Sequence, residues 1–260
     1  MNDTVLLEVN DGVAAVTLNR PAQKNALNIE MRDALAEVVE RLRDDAAIKA
    51  VVLHGAGGAF CAGGDVVGML DAAQTGLVWR ERLRQLNRWF AELVNLEKPV
   101  VAAVDGPAYG AGMNLALAAD FIVATPRTKF CAVFGRIGLV PDLGGMYLLP
   151  RIVGLQRAKE IVFSTRVVGA EEAQRLGMVF EIVPPETLLP TALELAGRFR
   201  TAATGALGIA KTIMNQSFQL DQRAMADFEA LAQTVCRDTE HHREAVRRFT
   251  GKQPPLFAWE

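Results

Sequence analysis

The sequence has 260 residues, of which 50% are hydrophobic and 22% are charged, and its formal net charge is −2. This composition supports a sizeable hydrophobic core and excludes a disordered chain. It has no long basic run that would bind nucleic acid, and no apolar run reaches the roughly 20 residues that span a membrane. The amino terminus lacks a secretory signal, and the three cysteines lack metal-ligand spacing. We therefore expect a cytoplasmic protein without a metal site.

Short β-branched segments alternate with amphipathic segments in the first part of the chain. Strands are predicted at residues 13–18, 50–54, 100–104 and 121–124. A helix is predicted after Asn28, where apolar residues recur at spacings of three and four, and further helices are predicted at 83–94 and 113–119. This alternation predicts an α/β fold with mainly parallel strands.

The pattern changes after about residue 188, where the strand signals end. Consecutive helices are predicted at residues 188–200, 205–218, 221–237 and 239–249. We therefore divide the chain into a first region at 1–190 and a helical region at 191–260. Helices without strand partners would expose their apolar residues, so we expect this region to pack on another surface, such as a neighbouring subunit.

Two glycine-containing segments each follow a predicted strand and precede a probable helix. They are residues 59–65 (AFCAGGD) and 104–114 (VDGPAYGAGMN). Glycine lets a ligand approach the backbone closely, so each segment can direct an N–H group at the same oxygen atom, as in an oxyanion hole. Taken singly, each segment is better explained as a tight turn, and it is their pairing that favours a site.

The order of these segments resembles the crotonase, or enoyl-CoA hydratase/isomerase, superfamily over nearly the whole chain. The resemblance also includes residues 19–27, 130–145, 161–177 and 179–183. It implies a spiral of ββα units followed by a helical region that forms trimers, which often stack as hexamers. It also implies an acyl-CoA substrate and an enolate at the thioester carbonyl, with coenzyme A as part of the substrate and no permanently bound cofactor.

The resemblance further implies which residues form the site. The backbone N–H groups of Ala62 and Ala111 are expected to form the oxyanion hole. Substrate contacts are expected at Lys24, Ala26, Leu27, Ala59, Gly64, Asp65, Gly110, Asn114, Phe134 and Lys252. Arg20 and Lys252 are expected near the CoA phosphates, with Lys252 reaching them across a subunit interface. Residues 66–78 and the surroundings of Phe134 are expected to set the acyl specificity.

The acid of the site is expected at Asp142. Where a hydratase of this family has two glutamates, this sequence has Asn114 and Phe134, neither of which titrates. Asp142, within residues 138–145 (GLVPDLGG), stands where Δ3,Δ2-enoyl-CoA isomerases and ring-opening epoxide isomerases of phenylacetate breakdown keep their acid. One carboxylate can move a proton between C2 and C4 of a bound dienolate, so the resemblance implies an isomerase. Apolar neighbours such as Phe134 are expected to raise the pKa of Asp142 by desolvation.

Several alternatives remain open. Asp142 can instead cap a helix that begins near Gly144. The enzyme can be an enoyl-CoA hydratase that uses Asp142 with a held water. It can also be an aryl-CoA dehalogenase, in which an aspartate at the equivalent position is the nucleophile. Phe134 and Gly135 oppose this alternative, because dehalogenases have tryptophan and histidine there. Finally, it can be an acyl-CoA-binding protein without catalysis, which the missing glutamates allow and the retained Asp142 opposes.

Overall fold

The computed structural model describes residues 3–66 and 75–259, and two β-sheets lie at its centre. In chain order, the strands of these residues are β1 (Val5–Asn10), β2 (Val13–Leu18), β3 (Ala50–Gly55), β4 (Val100–Val104), β5 (Pro107–Tyr109), β6 (Phe121–Ala124), β7 (Lys129–Cys131), β8 (Val167–Gly169) and β9 (Glu181–Ile182). The larger sheet has the spatial order β1-β2-β3-β4-β6-β9, and the smaller has the order β5-β7-β8. In the larger sheet β1 pairs antiparallel with β2 and the later pairs are parallel. The predicted α/β fold and its four predicted strands are confirmed.

Helices connect the strands and occupy most of the chain after β9. They are α1 (Ile29–Asp44), α2 (Gly76–Val94), α3 (Ala111–Leu117), α4 (Gly145–Val153), α5 (Leu155–Ser164), α6 (Ala170–Arg175), α7 (Leu188–Gly197), α8 (Thr204–Met214), α9 (Gln222–Arg237) and α10 (Glu240–Thr250). The helices predicted at 83–94 and 113–119 begin earlier than expected. The four predicted after residue 188 correspond to α7, α8, α9 and α10.

The sequence of α1 explains both its start and its packing. The side chain of Asn28 accepts a hydrogen bond from the N–H of Met31 at 2.9 Å, which caps the first turn. Met31, Leu35 and Leu42 are all buried, because apolar residues at this spacing turn one face of a helix toward the core. The predicted cap and apolar stripe are therefore confirmed.

Helices cover both faces of the larger sheet. All residues of β4 are buried, as expected for a central parallel strand. The helices α1 and α2 share one hydrophobic cluster with one face of the sheet. On the other face α7 packs through Leu188, Ala192 and Leu195. The expected division at residue 190 thus falls inside a helix that belongs to the sheet layers, and the division into two regions stays a prediction.

The last helices leave much of their apolar surface uncovered in the single chain. The described residues of α9 and α10 include no buried side chain. Exposed large side chains there include Phe228, Leu231 and Phe249. The end of the chain instead returns to the sheet, where the ring of Trp259 lies 5.8 Å from the ring of Phe199, centroid to centroid. The carboxy-terminal region is therefore anchored at its end by Trp259, while α9 and α10 expose an apolar face.

Residues 3–66 and 75–259 contain neither a membrane-spanning helix nor a cluster of metal ligands. None of their helices combines the length and the apolar composition required to cross a membrane. Their histidine, cysteine, aspartate and glutamate side chains form no group of three that could hold a metal ion. The absence of a metal from the working protein stays a prediction.

We predict that the protein forms a trimer or a hexamer through the exposed apolar face of its last helices. Leu231→Glu on α9 would place a charge in that interface, so the mass in solution should shift toward that of the monomer. Gln233→Glu is the matched control, because residues two positions apart on a helix face different sides. Light scattering at micromolar concentration measures the mass. A monomeric wild-type protein would contradict the prediction.

Candidate active site

A buried asparagine holds the first glycine segment in place. Asn25 is fully buried, and its Nδ2 donates to the carbonyl oxygens of Ala56 and Ala59 at 2.9 and 2.7 Å. Its Oδ1 accepts from the N–H of Arg20 at 2.8 Å. A buried amide is costly unless its hydrogen bonds are made. These bonds therefore fix residues 20–27 against the chain that leaves β3.

Leu27 joins this turn to the glycine segment through a parallel β-bridge with Gly64. The N–H of Leu27 donates to the carbonyl oxygen of Gly63 at 2.8 Å, and the N–H of Asp65 donates to the carbonyl oxygen of Leu27 at 3.1 Å. In this pairing the N–H of Gly64 points to the opposite side. No residue in the described part of the chain accepts a hydrogen bond from it.

Ala62 does not provide the oxyanion donor that was expected from the sequence. Its N–H donates to the carbonyl oxygen of Lys24 at 2.9 Å and is therefore already engaged. The prediction for Ala62 is wrong, because the turn at Lys24, with a left-handed φ of 49°, lays its carbonyl group against the glycine segment. The N–H of Gly64, two residues later, is the donor that this bonding leaves available.

The second glycine segment opens α3 with a backbone conformation that favours glycine. Gly110 has φ 52° and ψ −120°, and its N–H donates to the carbonyl oxygen of Cys131 at 2.8 Å. A Cβ atom at this position would also lie 3.3 Å from Cγ2 of Val133. The helix starts at Ala111, whose N–H has no acceptor among the described residues, as is usual in the first turn of a helix.

The two glycine segments contact each other directly. A Cβ atom built on Gly63 would lie 3.8 Å from the backbone nitrogen of Ala111. A Cβ atom built on Gly112 would lie 2.3 Å from the carbonyl oxygen of Cys61, which is too close for any side chain. The glycines therefore permit a backbone-to-backbone contact, which brings the segment of Gly64 against the start of α3.

Asn114 positions the loop that carries Asp142. Its side chain is 3% exposed, and Nδ2 donates to the carbonyl oxygen of Asp142 at 2.8 Å. The amide packs so closely on Gly145 that a Cβ atom there would lie 2.4 Å from Nδ2. Leu143 in the same loop has a φ of 43°, a conformation that costs about 1–3 kcal/mol in a residue other than glycine. The packing of Asn114 helps to hold this strained loop.

The side chain of Asp142 is not a helix cap. The N-cap of α4 is Gly144, and no side chain closes this end of the helix. The capping alternative is wrong, because Asp142 uses its backbone carbonyl oxygen instead, which accepts from the N–H of Gly145 at 2.9 Å. Its Oδ1 atom is buried and has no hydrogen-bond partner among the described residues. One oxygen of the carboxyl group is thus free of any structural bond to the described residues.

The surroundings of Asp142 shift its pKa upward, as the sequence predicted. Burial raises the pKa of this carboxyl group above its ordinary value, and the positive charge of Arg32 and the backbone N–H of Asp142 oppose the rise. A carboxylate with a raised pKa is a stronger base than an ordinary aspartate. The position is therefore suited to acid–base chemistry.

Arg32 is a residue of this region that the sequence did not identify. Burial lowers the pKa of its guanidinium group, and the charges of Asp142 and Asp65 oppose that shift. Its Nε atom is buried and has no hydrogen-bond partner among the described residues. Its position on α1 between Met31 and Leu35, two residues of the buried stripe, is the sequence feature that could have indicated a half-buried arginine.

Phe134 and Cys61 lie beside the two segments and are not candidates for proton transfer. Phe134 is 8% exposed, and its ring lies against the start of α3, 3.6 Å from a Cβ atom built on Gly110. Cys61 is fully buried, and burial raises the pKa of its thiol to about 12. A thiol that stays protonated is a poor nucleophile, so Cys61 is not a candidate for covalent catalysis.

Most of the predicted substrate contacts of the first segment lie together. Arg20 forms an ion pair with Asp65 at 3.2 Å and also donates to the carbonyl oxygen of Ala26. These bonds, with those of Asn25 and Leu27, join Lys24, Ala26, Leu27, Ala59, Gly64 and Asp65. Lys252 is exposed in the turn after α10, and no described hydrogen bond connects it to this group. Of the predicted specificity segment, residues 67–74 lie outside the described residues.

Comparison with known proteins agrees with this arrangement. The family described as enoyl-CoA hydratase/isomerase matches residues 8–260. The chain belongs to the enoyl-CoA hydratase/isomerase family. The crotonase-type fold that the sequence resembled is thereby confirmed, since a solved member of the family superposes on nearly the whole chain.

The relatives of this family member differ in the reactions that their names record. An enoyl-CoA hydratase/isomerase from Cupriavidus metallidurans CH34 has a crystal structure with a TM-score of 0.94 and 43% identity, covering 99% of this chain and 97% of that one. The 1,2-epoxyphenylacetyl-CoA isomerase of Escherichia coli K12 is 36% identical over 99% of each chain. The short-chain-enoyl-CoA hydratase of Clostridium acetobutylicum is 34% identical over 96% of each chain. These similarities define the family and not the reaction.

We predict that Asn25→Ala lowers the free energy of unfolding by about 2–4 kcal/mol, because it leaves the buried groups that Asn25 binds without partners. Gln23→Ala, at an exposed position of the same turn, is the control and should change it by less than about 0.5 kcal/mol. Urea denaturation measures both values. A loss below about 1 kcal/mol in Asn25→Ala would contradict the anchoring role.

We predict that Asp142→Asn becomes more stable relative to wild type as the pH rises from about 4 to 7. The folded protein raises the pKa of Asp142, so folding favours the protonated form. That contribution is present below the ordinary aspartate pKa and is lost as the pH rises through the folded value. Asparagine has no such loss. Melting temperatures of both proteins across this pH range test the prediction. If the melting temperature of Asp142→Asn minus that of wild type falls as the pH rises, the burial argument is refuted.

Proposed function

We propose that the protein is an acyl-CoA isomerase that shifts a double bond or opens an epoxide through an enolate. One observation carries the proposal: the buried Oδ1 atom of Asp142 has no hydrogen-bond partner among the described residues. Asn114 and Phe134 occupy the positions at which the family resemblance implies the two glutamates of a hydratase. An amide and a phenyl ring do not titrate, so one group must perform both proton transfers. A carboxylate that removes a proton at C2 or C4 and returns it at the other carbon is the chemistry of an isomerase.

The enolate oxygen would accept hydrogen bonds from the N–H groups of Gly64 and Ala111. Both groups lack an acceptor among the described residues, and their segments are in contact. Backbone donors need no rearrangement as charge develops, and the loss of one such donor typically costs about 10²–10³ in rate. The start of α3 adds the favourable field of a helix N-terminus. These features support an enolate bound at this point.

An enoyl-CoA hydratase is the second candidate, because relatives such as the short-chain-enoyl-CoA hydratase of Clostridium acetobutylicum carry that name. In this chain Asp142 would have to activate the water and also supply the proton to the α-carbon. Asn114 would not replace a second carboxylate, since its Nδ2 is already bonded to the backbone of Asp142. The residues of the site therefore favour the isomerase.

Incubation with 2-enoyl, 3-enoyl, epoxy and halogenated aryl CoA thioesters distinguishes the candidates. Mass spectrometry and NMR identify the products. An isomerase leaves the mass unchanged while a double bond moves or an epoxide opens, whereas a hydratase adds water. Loss of halide would favour a reaction like that of an aryl-CoA dehalogenase. Tight binding without any turnover would favour an acyl-CoA-binding protein.

We predict that Asp142→Asn lowers the isomerase rate by about 10²–10⁴, the usual contribution of acid–base catalysis. The amide keeps the shape of the side chain but cannot titrate. The matched control is Asp33→Asn, at an exposed position of α1, which should keep the wild-type rate. Steady-state kinetics and exchange of substrate protons in heavy water measure the effect. A nearly unchanged exchange rate in folded Asp142→Asn would remove Asp142 from the mechanism.

The proposal extends to the cofactor, the cellular location and the subunit contacts of the protein. We infer that coenzyme A enters only as part of the substrate and that no resident cofactor, nucleic acid or membrane takes part. Cys61, Cys131 and Cys236 are free thiols, which supports the expected cytoplasmic location. In the expected trimer or hexamer, Lys252 would reach the CoA phosphates of a neighbouring subunit.

A further inference from the structure

Arg32 and Asp142 are half-buried side chains that act on each other electrostatically, and each has a buried atom without a partner among the described residues. The Nε atom of Arg32 and the Oδ1 atom of Asp142 are both buried, and neither has a hydrogen-bond partner among residues 3–66 and 75–259. Their charges nevertheless act on each other, since each shifts the pKa of the other. Buried polar atoms are usually bonded, so these two atoms require an explanation.

The position of Arg32 is set by the same turn that orients the oxyanion segment. The bridge between Leu27 and Gly64 fixes the chain just before α1. The N–H of Arg32 donates to the carbonyl oxygen of Asn28, the N-cap of that helix, at 3.1 Å. Arg32 therefore lies about one helical turn beyond the residues that pair with the glycine segment.

The nearby acidic groups do not use the whole hydrogen-bonding capacity of Arg32. Asp65 forms an ion pair with Arg20, and its charge also acts on Arg32. Arg82 on α2 adds a second positive charge near the guanidinium group. An arginine has five N–H donors and no acceptor. A guanidinium group in this setting is best matched by an additional acceptor oxygen.

We propose that Arg32 donates a hydrogen bond to an oxygen atom of the acyl group, so that the preferred substrates are CoA thioesters whose acyl group carries an oxygen besides the thioester carbonyl. The oxygen can belong to an epoxide, hydroxyl, carbonyl or carboxylate group, because each accepts from a guanidinium. This inference rests on the proposed acyl-CoA site. It narrows the substrate class by assigning recognition of the acyl group to a residue on α1.

Binding of unreactive thioesters in matched pairs tests this inference. One pair is pentanoyl-CoA and 4-oxopentanoyl-CoA, and the other is phenylacetyl-CoA and 3-hydroxyphenylacetyl-CoA. Calorimetry gives the dissociation constants for wild type and Arg32→Met. In at least one pair the wild-type protein should bind the oxygenated thioester roughly 10- to 100-fold more tightly, the range for a hydrogen bond to a charged group. This preference should largely disappear in Arg32→Met.

The controls separate recognition from a structural role. Arg41→Met changes an exposed arginine of the same helix and should keep the preference. If Arg32→Met weakens both members of a pair equally, or if wild type prefers neither oxygenated thioester, the inference is overturned. Should Arg32→Met fail to fold, Arg32→Ala replaces it: alanine favours the helix and has no side-chain donor, and an unchanged preference would contradict the assignment.

The outcome is independent of whether the protein is an isomerase. These saturated and aromatic thioesters have no double bond to shift, so their binding doesn't depend on turnover. A preference for oxygen without isomerase activity would retain the role of Arg32 and refute the proposed reaction. Isomerase activity without the preference would support the proposed reaction and refute the role of Arg32.

Discussion

The hydrogen bonds of the buried Asn25 amide are the constraint from which the first half of the site follows. They tie the backbone of Arg20, Ala56 and Ala59 to one side chain, and so hold two chain segments that are far apart in sequence. From this anchor the chain continues to Leu27, whose bridge orients Gly64, and then into α1, which carries Arg32. A shift of this turn would move the proposed oxyanion donor and the proposed acyl contact together.

The second half of the site depends on the short helix α3. Ala111 begins this helix, and Asn114 lies one turn further along and binds the backbone of Asp142. The helix therefore sets how far the acid lies from the start of α3, where an enolate oxygen would be bound. Asn114 occupies the position at which the family resemblance implies a hydratase glutamate, and here its amide holds the backbone of Asp142, the proposed acid. This exchange of roles is consistent with chemistry that needs a single proton shuttle.

The site retains features that cost stability. Asp142 and Arg32 are charged groups with unpartnered buried atoms among the described residues, and Leu143 has a left-handed backbone between the acid and α4. Strain and unpaired polar groups of this kind are concentrated where function requires them. The surrounding core compensates, because β4 and the helices on both sides of the sheet are extensively buried.

The sequence by itself determined the strands β2, β3, β4 and β6, the start of α1 at Asn28 and the helical end of the chain, because these depend on local apolar spacing and capping. Its motifs also led to the family and to Asp142. Only the tertiary structure decided that Ala62 is engaged by Lys24, that Gly144 and not Asp142 occupies the N-cap position of α4, and that the charge of Arg32 acts on Asp142. The reason is physical: whether an N–H group or a charge is available depends on partners from distant parts of the chain, and no local pattern records them.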